Sequence, residues 1–320
     1  PAVTAIVLHA AWRIGSRALK NGVLWGIAGA AFIAIFALQL PFPAIVAGAA
    51  LIGHLGGRFL PGKFRGAGGH GAAHKAYGPA LIDDDTPTPP HALFRWASLA
   101  KVAAAGALLW LVPMGWLTVR YGWDHALTQM GWFFTKAALL TFGGAYAVLP
   151  YVFQGAVTDF GWLTAPQMID GLALGETTPG PLIMVVAFVG FVGGWGKALL
   201  GPDHLFLAGA LAATVVTWFT FLPSFLFILA GGPLVESTHQ DLKFTAPLTA
   251  ITAAVVGVIL NLALFFAYHV FWPRGFDGAP DWLSVAVAGL AALALFRFKR
   301  NVMEVIAVCA ALGLLAALLR

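Results

Sequence analysis

Glu176, Thr177 and Thr178 run directly into Pro179-Gly180-Pro181, inside sequence that is otherwise apolar. Each proline lacks an N–H and clashes with the preceding helical turn. The pair therefore ends a helix and frees the carbonyls near Gly175 and Thr177. Pro181 suits the first position of a following helix, where its missing donor costs nothing. The amides of Leu182, Ile183 and Met184 would then point back at the break, backed by about half a positive charge. With the Thr177 and Thr178 hydroxyls, that arrangement is a cradle for a small oxyanion. Glu176 would repel an anion when ionised, and a carboxylate at membrane depth is costly unless paired or hydrated. It suits a proton-linked gate, or an ion partner for Lys136.

A second interruption lies upstream, at Phe142-Gly143-Gly144-Ala145-Tyr146. Gly143 and Gly144 allow close backbone approach, and Tyr146 supplies a hydroxyl. Lys136 precedes the break by about two helical turns and offers a positive charge for an anion path. Arg13 and Arg17 share one helical face and could draw anions to the mouth of that path. Plainer readings stand beside each of these. The prolines could mark a kink whose threonines bond back to their own helix. Lys136 could snorkel to the headgroups, and the two arginines could be cytoplasmic anchors. Gly190 and Gly194, one turn apart, are read as a tight helix crossing. No catalytic residue and no metal site is read from the sequence, and no cofactor is expected.

Lipid is the solvent that makes such breaks informative. Hydrophobic residues make up 60% of the chain and charged residues 10%, with a mean hydropathy of +0.86. That composition excludes a soluble domain. Backbone polar groups have no partner in hydrocarbon, so broken backbone is tolerated only against protein or a water-filled cavity. Two breaks in neighbouring segments point to a binding site built from discontinuous helices. The net charge of +5 is spread over connections and fits positive-inside topology rather than nucleic-acid binding. A lone Cys309 excludes an intrachain disulfide.

Roughly 20 apolar residues cross a bilayer, which divides the chain into about ten membrane segments. These cover residues 2–11 with an extension through Arg13 and Arg17, then 23–40, 42–55, 99–119 and a broken 126–151. A half-helix at 167–178 follows, then 182–200, 204–230, 245–272, 282–296 and 302–319. Residues 153–166 read as an interfacial loop, with Trp162, Trp272 and Trp282 in the interfacial belt. The expected fold is all-α and polytopic, with broken or re-entrant helices. Residues 1–57 form the end of one membrane half, 58–97 a flexible linker, and 98–320 a second half. An echo between Ala2-Val3-Thr4-Ala5-Ile6 and Pro247-Leu248-Thr249-Ala250-Ile251 suggests two repeats, the first incomplete. Placing the basic clusters around Arg13, the linker and Arg297 in the cytoplasm gives the repeats opposite topology. The chain opens without a charged leader or cleavage-site pattern, and it reads as the inside of a longer protein.

These motifs resemble the chromate ion transporter family. The resemblance is carried by Phe133-Phe134-Thr135-Lys136-Ala137, Thr141-Phe142-Gly143-Gly144-Ala145-Tyr146 and Gly175-Glu176-Thr177-Thr178-Pro179-Gly180-Pro181. Phe188-Val189-Gly190-Phe191-Val192-Gly193-Gly194 and Ala11-Trp12-Arg13-Ile14-Gly15-Ser16-Arg17 add to it. It implies a transporter rather than an enzyme, with two homologous halves, each carrying the paired motifs. It further implies export of chromate from the cytoplasm across the inner membrane, with sulfate as a structural analogue. The substrate-binding residues would be Lys136, Phe142, Gly143, Gly144, Tyr146, Thr177, Thr178, Pro179, Gly180 and Pro181. Partners would be the oxyanion, the lipid bilayer and a second copy in a homodimer. An intramembrane enzyme on a lipid phosphate is the competing class, and it would require paired carboxylates or a His–nucleophile pair near one membrane face.

Overall fold

The computed structural model describes residues 1–64, 95–141, 145–178, 180–237 and 245–318. Most of the expected linker, with Phe142, Gly143, Gly144 and Pro179, lies outside the described residues. Every regular element among the described residues is helical. In chain order these are α1 (Ala2–Ala18), α2 (Gly22–Phe36), α3 (Phe42–Phe59), a single turn α4 (Pro61–Phe64) and α5 (Trp96–Tyr121). There follow α6 (Ala126–Leu139), α7 (Ala145–Phe153) running into a π turn at Gln154–Asp159, and α8 (Ala165–Thr177). A 3-10 turn at Leu182–Met184 opens α9 (Val185–Gly196), and α10 (Leu205–Ser237), α11 (Thr245–Phe271), α12 (Trp282–Phe296) and α13 (Val302–Leu318) complete the fold. Four helices are long and apolar enough to cross a membrane: Phe42–Phe59, Trp96–Tyr121, Pro202–Pro233 and Thr245–Phe271. The chain is a polytopic, all-α membrane protein.

Residues 153–166 differ from expectation. Most of the stretch is helical or part of a π turn, and Trp162 is buried instead of interfacial. Its indole stacks on Phe160 at 4.5 Å and packs against Phe133 and Phe134. Four aromatic rings provide a larger apolar surface than one tryptophan finds at a headgroup layer. Trp282, in contrast, is 72% exposed, as a belt residue should be.

The repeat is clearer in three dimensions than in the sequence. Helices α2 and α12 are both 15 residues long and occupy one constant register. Asn21 caps α2 by accepting from the amides of Val23 and Leu24, and Asp281 caps α12 through Leu283 and Ser284. At the other ends, the amides of Ala37 and Leu38 donate to Ile33 and that of Leu40 to Ala34. Arg297 and Phe298 donate to Leu293, and Arg300 to Ala294, in the same pattern. The turns that follow place Gln39 and Lys299 at the same φ of 50°. A conformation uncommon for a residue with a side chain recurs at the equivalent position. Ile27, Ala28 and Ala31 are buried in α2, and their counterparts Val287, Ala288 and Ala291 in α12.

The two three-helix units have opposite directions. Gly15 of α1 meets Val256 of α11, while Ala2 and Val3 share a cavity with His269 and Val270. The equivalent helices α1 and α11 are therefore antiparallel. Each also packs on the other unit's hairpin, α11 on α2 and α3, and α1 on α12 and α13. Gly53 and Gly257 permit these contacts. A Cβ on Gly53 would lie 2.6 Å from the Ala246 carbonyl oxygen, and Gly257 lies against the Ala28 and Phe32 backbone. Inversion also gathers the basic ends. His9 of α1 contacts Phe296 at the end of α12, so Arg17, Lys20 and Arg297 leave the bundle on one side. The Asn21 amide donates to the Lys63 carbonyl at 2.8 Å, which brings the end of α3 to that side as well.

Candidate functional site

Both sequence breaks are tips of helical hairpins. Phe133 of α6 stacks on Tyr151 of α7 at 4.7 Å, and Gly155 lies against the same ring. Helices α6 and α7 thus run antiparallel, with the end of α6 and the start of α7 at the tip. In the second hairpin Gly171 of α8 faces Phe188 of α9, and a Cβ on Gly175 would lie 3.2 Å from Leu182 Cδ1. Thr178, Gly180 and Pro181 lie at that tip. The hairpin helices, of 9 to 14 residues, reach at most about 20 Å, short of the hydrocarbon thickness of about 30 Å. The Phe160–Thr164 connection is short, so both hairpins have their bases on one side. Thr164 and Gln167 form a reciprocal cap that starts α8 sharply. Gly193 near the α9 base sits against Met130 and Trp162, which holds the two hairpins side by side.

Their tips are tied together. The Tyr146 hydroxyl, at the start of α7, donates to the Glu176 carboxylate in the last turn of α8. Both side chains are half-buried. The Arg13 guanidinium of α1 acts electrostatically on both groups, and α1 packs along α8. A phenol and a carboxylate from two helices are therefore bonded beside the breaks, within the longer-range field of a guanidinium on a third. Arg13 and Arg17, one turn apart on α1, are both exposed.

Lys136 is placed elsewhere. Its ammonium lies 5.7 Å from the centre of the Trp132 ring, and its charge acts at longer range on Asp159 at the end of the π turn. The expected pairing of Lys136 with Glu176 is replaced by the pairing of Glu176 with Tyr146. Asp159 was not singled out from the sequence. A carboxylate closing a π turn, a geometry enriched at functional sites, is the signal that structure adds.

The threonines follow the plainer of their two readings. Thr177 Oγ1 donates to the Leu174 carbonyl at 2.9 Å and Thr178 Oγ1 donates to the same oxygen at 2.7 Å. A hydroxyl has one proton, so neither is free to donate to an anion in this arrangement. Backbone donors remain. Pro181 caps the Leu182–Met184 turn without a side-chain partner, and the Met184 amide is taken by the Pro181 carbonyl at 2.9 Å. The Leu182 and Ile183 amides have no intrahelical acceptor at this terminus. Thr178, Gly180 and Pro181 are exposed. The structure therefore brings Tyr146, Glu176 and Arg13 together, beside the turn that opens α9.

Comparison with known proteins agrees with this architecture. The chromate transporter family profile matches residues 128–314, which include both hairpins. A chromate transport protein of Pseudomonas aeruginosa is 31% identical over 318 residues, covering 95% of this chain and 62% of that relative. A chromate transport protein of Cupriavidus metallidurans is 30% identical over 186 residues, covering 51% of this chain and 42% of that relative. The chain thus spans less than two thirds of the length of these relatives. No solved structure matches it. With the profile covering more than half of its residues, the chain belongs to the chromate transporter family.

Proposed function

We propose that the full-length protein exports chromate, a tetrahedral dianion, across the cytoplasmic membrane, and that the anion binds between the two hairpin tips. The observation that carries this reading is the Tyr146–Glu176 bond, which joins the start of α7 to the last turn of α8. The free amides of Leu182 and Ile183, the positive end of α9 and Arg13 all favour a negative guest. Gly180 and Pro181 form the rim, and Pro179 with Phe142, Gly143 and Gly144 belongs to the same proposal through the sequence. Thr177 and Thr178 shape the end of α8 and give their protons to Leu174. Lys136, beside the Trp132 ring, contributes positive potential from a distance. Glu176 gates the site, with proton exchange as one means of doing so.

Direction follows from charge. Moving one charge through 100 mV is worth about 2.3 kcal/mol, so a dianion leaving an inside-negative cell gains about 4.6 kcal/mol. That is enough for a gradient of roughly a thousandfold, without a coupling ion. The positive-inside rule places the shared basic side, with Arg17, Lys20, Lys63 and Arg297, in the cytoplasm. The hairpin bases then face the opposite side and the tips point toward the cell interior. Sulfate, with the same shape and charge, is the alternative cargo that the same donors would accept.

Chromate accumulation in cells expressing the full-length protein tests the reading. Expression should lower accumulation, and excess sulfate should reverse the effect only if both anions share the site. Unchanged accumulation, with the protein present in the membrane, would refute export.

A further inference from the structure

Glu176 occupies a place that an incoming dianion needs. Its carboxylate accepts the hydrogen bond of the Tyr146 hydroxyl and lies in the field of Arg13. The other side-chain hydroxyls of this tip, on Thr177 and Thr178, are spent on the Leu174 carbonyl. Among the described residues, the Leu182 and Ile183 amides, six and seven residues beyond the same carboxylate, remain as donors. A carboxylate and a dianion around one guanidinium would carry three negative charges against one positive, and like charges at close range disfavour each other.

Building on the oxyanion reading, we propose that Glu176 is a tethered stand-in for the cargo, holding the Tyr146 hydroxyl in the field of Arg13 until an anion displaces it. Binding is then an exchange at one set of donors. The carboxylate lets go of the phenol, the anion accepts from it, and the hairpin tips are held together by the cargo instead of by the side chain. Unloading reverses the exchange, and the returning carboxylate helps to expel the anion. Glu176 accordingly weakens ground-state binding while keeping the empty tips closed. A carboxylate that served as a ligand, or only as a packing residue, would have the opposite effect or none on affinity.

The sign of the affinity change separates these roles. Purified full-length protein is titrated calorimetrically with sodium sulfate and with potassium chromate, as wild type, Glu176→Gln, Glu176→Asp, Tyr146→Phe and Arg13→Gln. The Glu176→Gln substitution keeps the shape of the side chain and removes its charge, and it should tighten anion binding about tenfold, a usual size for coupling between competing occupants. Glu176→Asp keeps the charge and should bind no tighter than wild type. Tyr146→Phe and Arg13→Gln should each weaken binding. Should Glu176→Gln fail to give monodisperse protein, Glu176→Ala takes its place, with the same tightening expected. Wild-type binding that is unchanged or weakened by loss of the carboxylate overturns the stand-in role. Wild-type protein that binds neither anion overturns the oxyanion reading itself, which is a separate outcome.

Discussion

Helices α8 and α9 belong to one hairpin, yet their ends are built for opposite purposes. At the base of α9, Gly190 and Gly194 press against the α10 backbone, where a Cβ on Gly190 would lie 2.8 Å from the Ala212 carbonyl oxygen. At the tip, a Cβ on Gly180 would meet nothing within 4 Å, and Thr178 and Pro181 are exposed. Gly190 and Gly194 have no room for a side chain, whereas the tip has space, the Leu182 and Ile183 amides and three ionisable or hydroxylic side chains. Close helix packing at the base holds a broken backbone in place at the tip, where it can serve a guest.

Substitutions at equivalent residue types should expose that contrast. The largest effect is expected for Gly190→Leu, which forces a side chain into the α10 backbone and should cost about 2–3 kcal/mol. Thermal unfolding in detergent would show it as a lower midpoint, and an unchanged midpoint would mean that α9 and α10 are not in close contact. Tyr146→Phe comes next. It removes the bond between the tips, a charge-assisted hydrogen bond worth about 1.5–3 kcal/mol, and should lower chromate export measurably while the protein still reaches the membrane. Export at the wild-type rate would detach the phenol from the transport path. Gly180→Ala should leave the unfolding midpoint within the range of about 0.5 kcal/mol expected for an open surface position. Its effect should be confined to transport.

The smallest effect concerns His125, outside the hairpin tips. Its imidazole caps α6 by accepting from the Leu127 amide at 3.3 Å, which requires the neutral ring. Burial pushes its pKa below the ordinary histidine value. Above about pH 6.5 both folded and unfolded chains carry it neutral, and the cap contributes fully. As pH falls below that value the unfolded chain takes up the proton first, so stability declines until the lowered folded pKa has been passed. His125→Asn, a cap that does not titrate, should flatten this part of the pH–stability curve.

The position of each break was legible in the sequence because proline and glycine act locally. Pro181 ends one helix and starts the next whatever surrounds it, and the ends of α8 and α12 fall within a residue or so of the expected boundaries. What Glu176 touches was not legible. Lys136 was the nearer cation in sequence, but α6 turns it toward Trp132 and Asp159, and the partner comes from α7 instead. Trp162 was misplaced for a related reason, since an indole reads the same in a headgroup layer as in an aromatic cluster until the neighbouring helix is known. The repeat was only partly visible. Ala28, Gly29, Ala31, Ala34 and Phe36 match Ala288, Gly289, Ala291, Ala294 and Phe296, but small apolar residues are common in membrane helices. The recurring caps and the shared left-handed turn at Gln39 and Lys299 are what separate repetition from composition.

Anomalous diffraction at the chromium absorption edge, from crystals of full-length protein grown with chromate, is the most direct test of the central claim. A peak between the hairpin tips is predicted, within hydrogen-bond reach of the Leu182 and Ile183 amides and the Tyr146 hydroxyl, with Glu176 turned away. A chromium peak elsewhere, with the Tyr146–Glu176 bond intact, would contradict it.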